Sequence, residues 1–474
     1  MTKPNCTAVC EPKLLSSGLI AVLMGVMACS AYANFAYIMT DPGDYDYFPP
    51  FRAGYNRNNV DHLGGENLSI ARAINAGHGF ADPFDRVTGP TAWMPPVFPY
   101  LLASLLAVFD GDRSAVKDVI VIFHLGALVW SGAFVLYGWK KANPQRCVWL
   151  PICVLGLCLM ADFRYAFQFT HDHFLVLYVL NGLVLWSAWG HPLASTKRAI
   201  GWGLLGGSAA LVTPALGLTW AGLTCLMWRR GGTTWKMTVA IFVAALIMTP
   251  WTVRNYVTFG RFIPVKSNLN FELYQSQCMQ PDGVLQASSV QEHPRQGNNE
   301  QAAMYDRLGE SEFLAQNGEE FWAAVEADPW EFARRVRQRF VAAALWYVPR
   351  DRSGRSEFVA GVWLARVLHP LPWVAVIVFA TVRRRERTNG EGSVVVALLI
   401  YIIPYILVSY NERYYFPLLG IRAFLIASII ERATNLLVPQ RIQERLLRFS
   451  GPRLTLIAQS GACPPSENTC RLNG

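Results

Sequence analysis

Charged side chains are scarce in this sequence. Asp, Glu, Lys and Arg make up only 16% of its 474 residues, where soluble globular chains carry about 25%. Too little of the chain is suited to face water for a soluble enzyme. A disordered chain is excluded as well, because 52% of the residues are apolar and such a composition collapses rather than stays solvated. Regular polar–apolar alternation is missing; the apolar residues run in long blocks instead. Paired-cysteine spacing is missing too. Of the ten cysteines, Cys6, Cys10, Cys29, Cys153, Cys158 and Cys225 fall in the N-terminal segment or in apolar blocks, Cys147 opens one, Cys463 and Cys470 sit in the tail, and Cys278 alone lies in a polar loop. That pattern gives neither a disulfide framework nor a zinc spacing. No internal repeat or low-complexity tract is present. The net charge of +9 invites a nucleic-acid reading, yet the basic residues cluster at the ends of apolar blocks and do not interleave with stacking aromatics along a polar face. No nucleic-acid partner is expected.

What is present is a series of apolar segments. A membrane helix needs about 20 mostly apolar residues, and ten segments approach that length: 14–39, 118–139, 147–161, 173–190, 199–212, 214–228, 236–253, 357–382, 393–410 and 415–430. The first is too long for the apolar core of a cleaved signal and reads as an anchor. The 13 apolar residues of 97–109 suit a half-span or an interfacial helix. The fold class is therefore an all-α, multi-pass membrane protein of about ten transmembrane helices.

Lys and Arg near span ends set orientation, the excess lying inside. With Lys13 inside, strict alternation puts Lys140, Lys141 and Arg146 inside, then Lys197 and Arg198, then Arg229, Arg230 and Lys236, then Arg383 to Arg385, and finally the tail from Arg432. This requires 199–212 and 214–228 to form a hairpin broken at Thr213-Pro214. Two large external segments result, 40–117 and 254–356. In the second, Phe321, Val325, Phe332, Val336 and Phe340 recur near helical spacing opposite Arg334, Arg335 and Arg337, which predicts an amphipathic helix along the membrane surface or over the first loop.

Acids, histidines and arginines from separate places then fall on the external side. Asp44 and Asp46 follow the first span. Glu66 precedes a helical run that carries Arg72, and it could act in chemistry or simply cap that run. His171-Asp172-His173 stands at the outer mouth of the fourth span, where an ionisable residue is costly and is read first as functional. Arg254 ends the seventh span, where it could equally snorkel to headgroups. Glu412, Arg413 and Tyr414 occupy the tight outer turn before the last span. Two histidines flanking an aspartate suggest a metal, but alternate residues on a helix point apart. A divalent metal therefore stays an open alternative, with its ligands unassigned.

That set of groups suits a lipid-phosphate substrate held in the bilayer. Arginine at headgroup depth pairs with phosphate oxygens, an apolar groove takes the lipid chain, and a carboxylate removes the proton from an acceptor hydroxyl. Negative charge growing on the departing phosphate needs a cation nearby.

The stretch Gly65-Glu66-Asn67-Leu68-Ser69-Ile70-Ala71-Arg72, with Gly77-His78-Gly79-Phe80, Pro83-Phe84 and Gly89 through Tyr100, resembles the first exoplasmic loop of bacterial family 39 glycosyltransferases. These are relatives of protein O-mannosyltransferases and of the lipid A aminoarabinose transferase. Thr170 through Leu175, Pro250 through Tyr256 with Phe259-Gly260, and Glu412-Arg413-Tyr414 before Pro417 extend the resemblance over roughly residues 14–430. The resemblance implies a GT-C bundle with a large first exoplasmic loop. It implies transfer of a hexose or pentose from a polyprenyl-phosphate carrier, with inversion, to a protein or glycolipid acceptor on the exoplasmic face. It also implies residence in the cell's inner membrane, among membrane lipids. Carried over, Glu66 is similar to the acid that activates the acceptor, Asp172 to a second acid and Arg413 to a phosphate contact. Arg72, Arg254, Tyr414 and His171 are the other expected substrate contacts. Many relatives carry an Asp-Glu pair where this chain has Gly65-Glu66, so the base lies open between Glu66 and the Asp44/Asp46 pair. A surface-polysaccharide polymerase or ligase and a secondary transporter are the alternative functions. The expected division is an N-terminal transmembrane module over 1–253, an exoplasmic region over 254–356, C-terminal transmembrane helices over 357–430 and a cytoplasmic tail over 431–474.

Overall fold

The computed structural model describes residues 62–168, 171–286, 289, 291–349, 359–381 and 389–437. The expected first span, Asp44, Asp46 and most of the tail lie outside them. The described residues form helices α1 (Gly65–Asn75), α2 (Val97–Val108), α3 (Arg113–Ala142), α4 (Trp149–Ala161), α5 (His173–Leu185), α6 (Thr196–Val212), α7 (Pro214–Arg229) and α8 (Thr234–Phe259), followed by α9 (Leu269–Cys278), α10 (Glu300–Ala327), α11 (Pro329–Phe340), α12 (Val359–Leu368), α13 (Leu371–Thr381), α14 (Asn389–Leu407) and α15 (Leu419–Leu437). Among them there is no sheet, only two isolated bridges, Ala81 with Pro90 and Val284 with Tyr410. The chain divides into two units. Residues to Ala427 form the first; of the second, from Ser428 onward, the described part is helical.

Among the described residues, six helical stretches are long and apolar enough to cross a membrane: Arg113–Ala142, His173–Gly190, Thr234–Phe259, Val362–Thr381, Gly390–Leu407 and Glu412–Thr434. Three further expected spans are helical but short. At 13, 17 and 16 residues, α4, α6 and α7 reach about 20, 26 and 24 Å at 1.5 Å per residue, short of the ~30 Å hydrocarbon layer. Of the nine expected spans that fall in the described residues, six are thus long enough by length and composition and three are short helices.

Local chemistry explains the ends. Asp112 accepts hydrogen bonds from the Ser114 and Ala115 amides and so caps α3, whose last turn carries Lys140 and Lys141, charges that suit the negative end of the helix dipole. Thr213 is extended (φ −163°, ψ 142°) and Pro214 opens α7, because proline has no N–H to give the preceding turn. The two helices fold back as an antiparallel hairpin. Trp220 donates to the Trp202 carbonyl (2.9 Å) and Trp202 to the Thr224 hydroxyl (2.8 Å), so Arg198 and Arg229 end up at the same end. Against α8, α6 presents Gly203 and Gly207. A Cβ at either would lie 2.5 Å from the Ala240 carbonyl oxygen and 2.6 Å from Ile247 Cβ respectively, so this close backbone approach demands glycine.

The two segments expected to be external, 40–117 and 254–356, share one core in their described parts. Phe84 and Trp93 of the first loop pack with Phe271, Tyr305, Phe313 and Leu314, while Ile70 and Phe80 pack on Trp251 of α8. Glu310 ties the same parts together. Its buried carboxylate accepts from the Ala92 amide (2.8 Å), the Ser267 hydroxyl (2.7 Å), the Tyr305 phenol (3.1 Å) and the Thr91 hydroxyl. Burial pushes this carboxyl up despite those donors, and it holds structure rather than substrate.

The amphipathic helix expected over 321–340 is corrected in two ways. It is broken between α10 and α11 at Asp328, which caps α11 by accepting from the Glu331 amide at 3.0 Å. Within α11 the buried residue is also an arginine, not a phenylalanine, whereas Phe321 in α10 is buried as expected. Arg339 is fully buried while Phe340 is exposed, because Arg339 donates to the Ile406 (2.7 Å) and Leu407 (3.1 Å) carbonyls at the end of α14. Those carbonyls have no intrahelical partner, and a cation there also suits the dipole. Burial and nearby Arg335 pull the guanidinium down to about 10, still charged at neutral pH. Arg339→Met keeps the volume but strips two buried acceptors. The expected loss is about 2–5 kcal/mol, read as a lower unfolding midpoint in detergent; an unchanged midpoint would remove this role.

Candidate active site

Glu66 stands in the first turn of α1. The chain enters from Gly64, at φ 66°, whose amide donates to His62 Nδ1 at 3.1 Å. Acidic charge in a first turn is favoured by the free amides there. Two side chains from far along the chain close over it. His293 Nε2 lies 3.8 Å from Glu66 Oε1. Its Nδ1 accepts from the Arg295 amide (3.2 Å), so the proton of the neutral ring sits on Nε2, toward the carboxylate. The ring is fixed edge-on against Phe271, Phe84 and Trp93, with centroids 5.2–5.9 Å away. The Arg295 guanidinium covers Gly65 so closely that a Cβ there would fall 1.7 Å from its Cζ. This explains the missing acid before Glu66, since any side chain at 65 would expel Arg295.

The electrostatics follow from this packing. Burial alone would raise the Glu66 carboxyl, but His293, Arg295, a backbone amide and His171 outweigh it and bring it down to about 2. Burial also pulls His293 down and His62 down to about 3, so both are neutral near pH 7. Arg295→Ala removes one positive neighbour and leaves burial less opposed, so the Glu66 carboxyl moves up from about 2. A pH titration of that carboxyl followed by infrared difference spectroscopy should read the rise; a carboxyl that stays put would show that Arg295 does not hold Glu66.

Asp172 lies at the start of α5, where its carboxylate pairs with His171 Nδ1. Burial pushes it up, but His171, His173 and Arg413 hold it well below the usual carboxylate range. The His171 and His173 rings are nearly parallel, 5.9 Å apart and inclined by 14°. His62 stacks on His171 at 6.1 Å, and His124 meets His173 edge-on at 5.7 Å. Arg413 approaches from the turn after α14, its amide held by Asn411 Oδ1 (3.0 Å) and its guanidinium donating to the Tyr414 phenol (3.1 Å) over that ring. The charge of Arg413 acts on both Glu66 and Asp172. Glu412 is held by the phenols of Tyr165 (2.6 Å) and Tyr347, and the amide of Leu285 donates to the Tyr410 carbonyl (3.1 Å), which anchors the turn to the external region.

Of the expected site residues, Glu66, His171, Asp172, Arg413 and Tyr414 are thus brought together. Two sit elsewhere. Arg254 donates to the carbonyls of Thr91 (2.7 Å) and Phe80 (2.8 Å) and to Asn255, which makes it a brace for the first loop. Arg72 faces Asp85 at 3.7 Å on an exposed rim. His293, Arg295 and His62 were not singled out in the sequence; they sit in polar loops without any period, and only the pairing of distant segments reveals them.

His171, Asp172 and His173 place ligand atoms within 4.8 Å of one another. The expectation that their spacing would separate them is corrected, because His171 and Asp172 precede the helix. Two imidazoles and an ionised carboxylate suit a divalent cation. Beside them the Asn67 amide is buried with neither its oxygen nor its nitrogen hydrogen-bonded, so the donor set fits a metal or a polar substrate group.

No protein-family model matches the chain, and no curated protein matches it. Among solved structures it is similar to an archaeal oligosaccharyltransferase, AglB from Archaeoglobus fulgidus, in complex with an inhibitory peptide and a dolichol-phosphate. The identity is 13%, the TM-score 0.46, and the match covers 92% of this chain and 52% of that one. The chain therefore spans about half the length of that structure.

Proposed function

We propose that this protein is a membrane glycosyltransferase that moves a sugar from a polyprenyl-phosphate carrier to an acceptor hydroxyl at the exoplasmic face of the inner membrane. The observation that carries the reading is the meeting of Glu66, Asp172 and Arg413, from three distant segments, where two apolar helices begin. Glu66 takes the acceptor proton. The acceptor oxygen then bonds to the anomeric carbon as the bond from that carbon to the phosphate oxygen breaks, and the polyprenyl phosphate departs with the electron pair. Arg413 meets the charge developing on that phosphate. Glu66 suits the base role better than Asp172, whose carboxylate is already engaged with His171 Nδ1. Asp172 and its flanking histidines would hold a divalent cation, which when bound supplies further positive charge to the leaving phosphate. His293 and Arg295 keep Glu66 ionised and oriented.

Purified protein given a radiolabelled polyprenyl-phosphate sugar and cell-envelope acceptors should form labelled product. Solute flux across vesicles without product would favour a transporter. Arg413→Ala should raise KM for the donor about tenfold or more, the loss of a charged phosphate contact being about 1.5–3 kcal/mol. An unaltered KM would place the phosphate elsewhere.

A further inference from the structure

A second lipid-facing feature lies outside this constellation. Arg366 of α12 is clamped between two indoles, its Cζ 4.9 Å from the ring centroids of both Trp346 and Trp363. A guanidinium set against aromatic rings hydrogen-bonds along its edge. Its Nε is buried without a hydrogen-bond partner, and no carboxylate among the described residues pairs with it. Among the described residues the cation is therefore held in place by aromatic faces.

The surroundings say what could complete it. On α12, Ala365 and Leu368 are buried whereas Trp363 and Val367 are exposed, so the clamp lies on the outward side. Exposed Phe340, Val341, Leu345 and Trp346 continue the ridge. Arg366 is four residues inside the apolar stretch that starts at Val362, about 6 Å along the helix, at the level where tryptophans settle between headgroups and acyl chains. Trp346 is extended (φ −140°, ψ 111°), so it and Tyr347 point to opposite sides. Tyr347 reaches Glu412 and hence the catalytic side; Trp346 faces away from it. We propose that the Trp346–Arg366–Trp363 clamp binds the phosphodiester of a bilayer glycerophospholipid. The guanidinium edge takes two phosphate oxygens and the ridge takes the acyl chains. The outward aspect selects a bilayer lipid over the sugar-donor carrier.

Native mass spectrometry of the full chain in detergent tests this with phosphatidylglycerol as the probe. Diacylglycerol, which has the tails without the phosphate, and polyprenyl phosphate serve as comparisons. The parent protein should hold one more phosphatidylglycerol than Arg366→Gln at equal lipid concentration, with at least a tenfold weaker affinity for that site in the variant. Trp346→Ala should weaken the same site, and diacylglycerol should not occupy it. Should Arg366→Gln fail to fold, as judged by gel filtration, Arg366→Lys keeps the charge without the planar fork and should still weaken binding. Equal occupancy in parent and folded variant, equal binding of diacylglycerol, or preferential filling of the Arg366-dependent site by polyprenyl phosphate would each overturn the assignment.

Discussion

Replacing Glu66 by Gln should cut sugar transfer at least ~10²-fold in kcat, the usual contribution of a general base being 10²–10⁴. Glutamine keeps the size and hydrogen-bonding reach of the side chain but cannot take a proton. Both side chains that frame the position keep their settings: His293 Nε2 still faces an amide oxygen or nitrogen at about the 3.8 Å of the parent, and Arg295 still has Asp85, 3.7 Å away. The variant should therefore fold and bind the lipid donor nearly as the parent does. Product formation at the parent rate would take Glu66 out of the chemistry, and loss of donor binding together with rate would mean that its role is structural.

Asp172→Asn should have an effect of similar size, about 10²-fold or more, by a different route. The aspartate balances His171, His173 and Arg413, all of which act on its carboxyl. Without that charge the Arg413 guanidinium loses a fixed anionic neighbour on the catalytic side, and the histidine pair loses the one carboxylate that stands with it. Two measurements separate the consequences. Donor affinity reports the altered Arg413, and binding of added manganese by the folded protein reports the ligand set. Full activity in Asp172→Asn would remove the second acid from the account; a rate that falls while manganese binding is kept would leave it electrostatic only.

Much of the helical framework is readable from local sequence. The apolar blocks behind α3, α5, α8 and α14, the proline break at Thr213-Pro214 and the acidic start of α1 depend on residues near one another, and summed side-chain transfer energies decide them. Asp172 was legible because an ionisable group opening an apolar span is expensive, Glu66 and Arg413 from their places before a helical run and in a tight turn together with the family resemblance. The remainder depends on which distant segments meet. Nothing near Arg295 signals that its guanidinium fills the space above Gly65, and nothing near Glu310 signals its four donors. Arg339 inverted the expected pattern for the same reason, since its partners, the carbonyls of Ile406 and Leu407, belong to a helix end far along the chain. The short arms α6 and α7 show a further limit. Hydropathy marks them as apolar, while the bonds that pair them, Trp202 to Thr224 and Trp220 to the Trp202 carbonyl, join residues a helix apart.

The claim on which the rest depends is that the α1 terminus and the turn after α14 share one pocket. A double-cysteine variant at positions 66 and 413, in a background without the ten native cysteines, tests it through a short bifunctional thiol reagent in intact membranes. The account predicts an intramolecular cross-link, with both positions also labelled by an impermeant reagent from the external side. Labelling from opposite sides of the membrane, or no cross-link while each cysteine reacts singly, would contradict it.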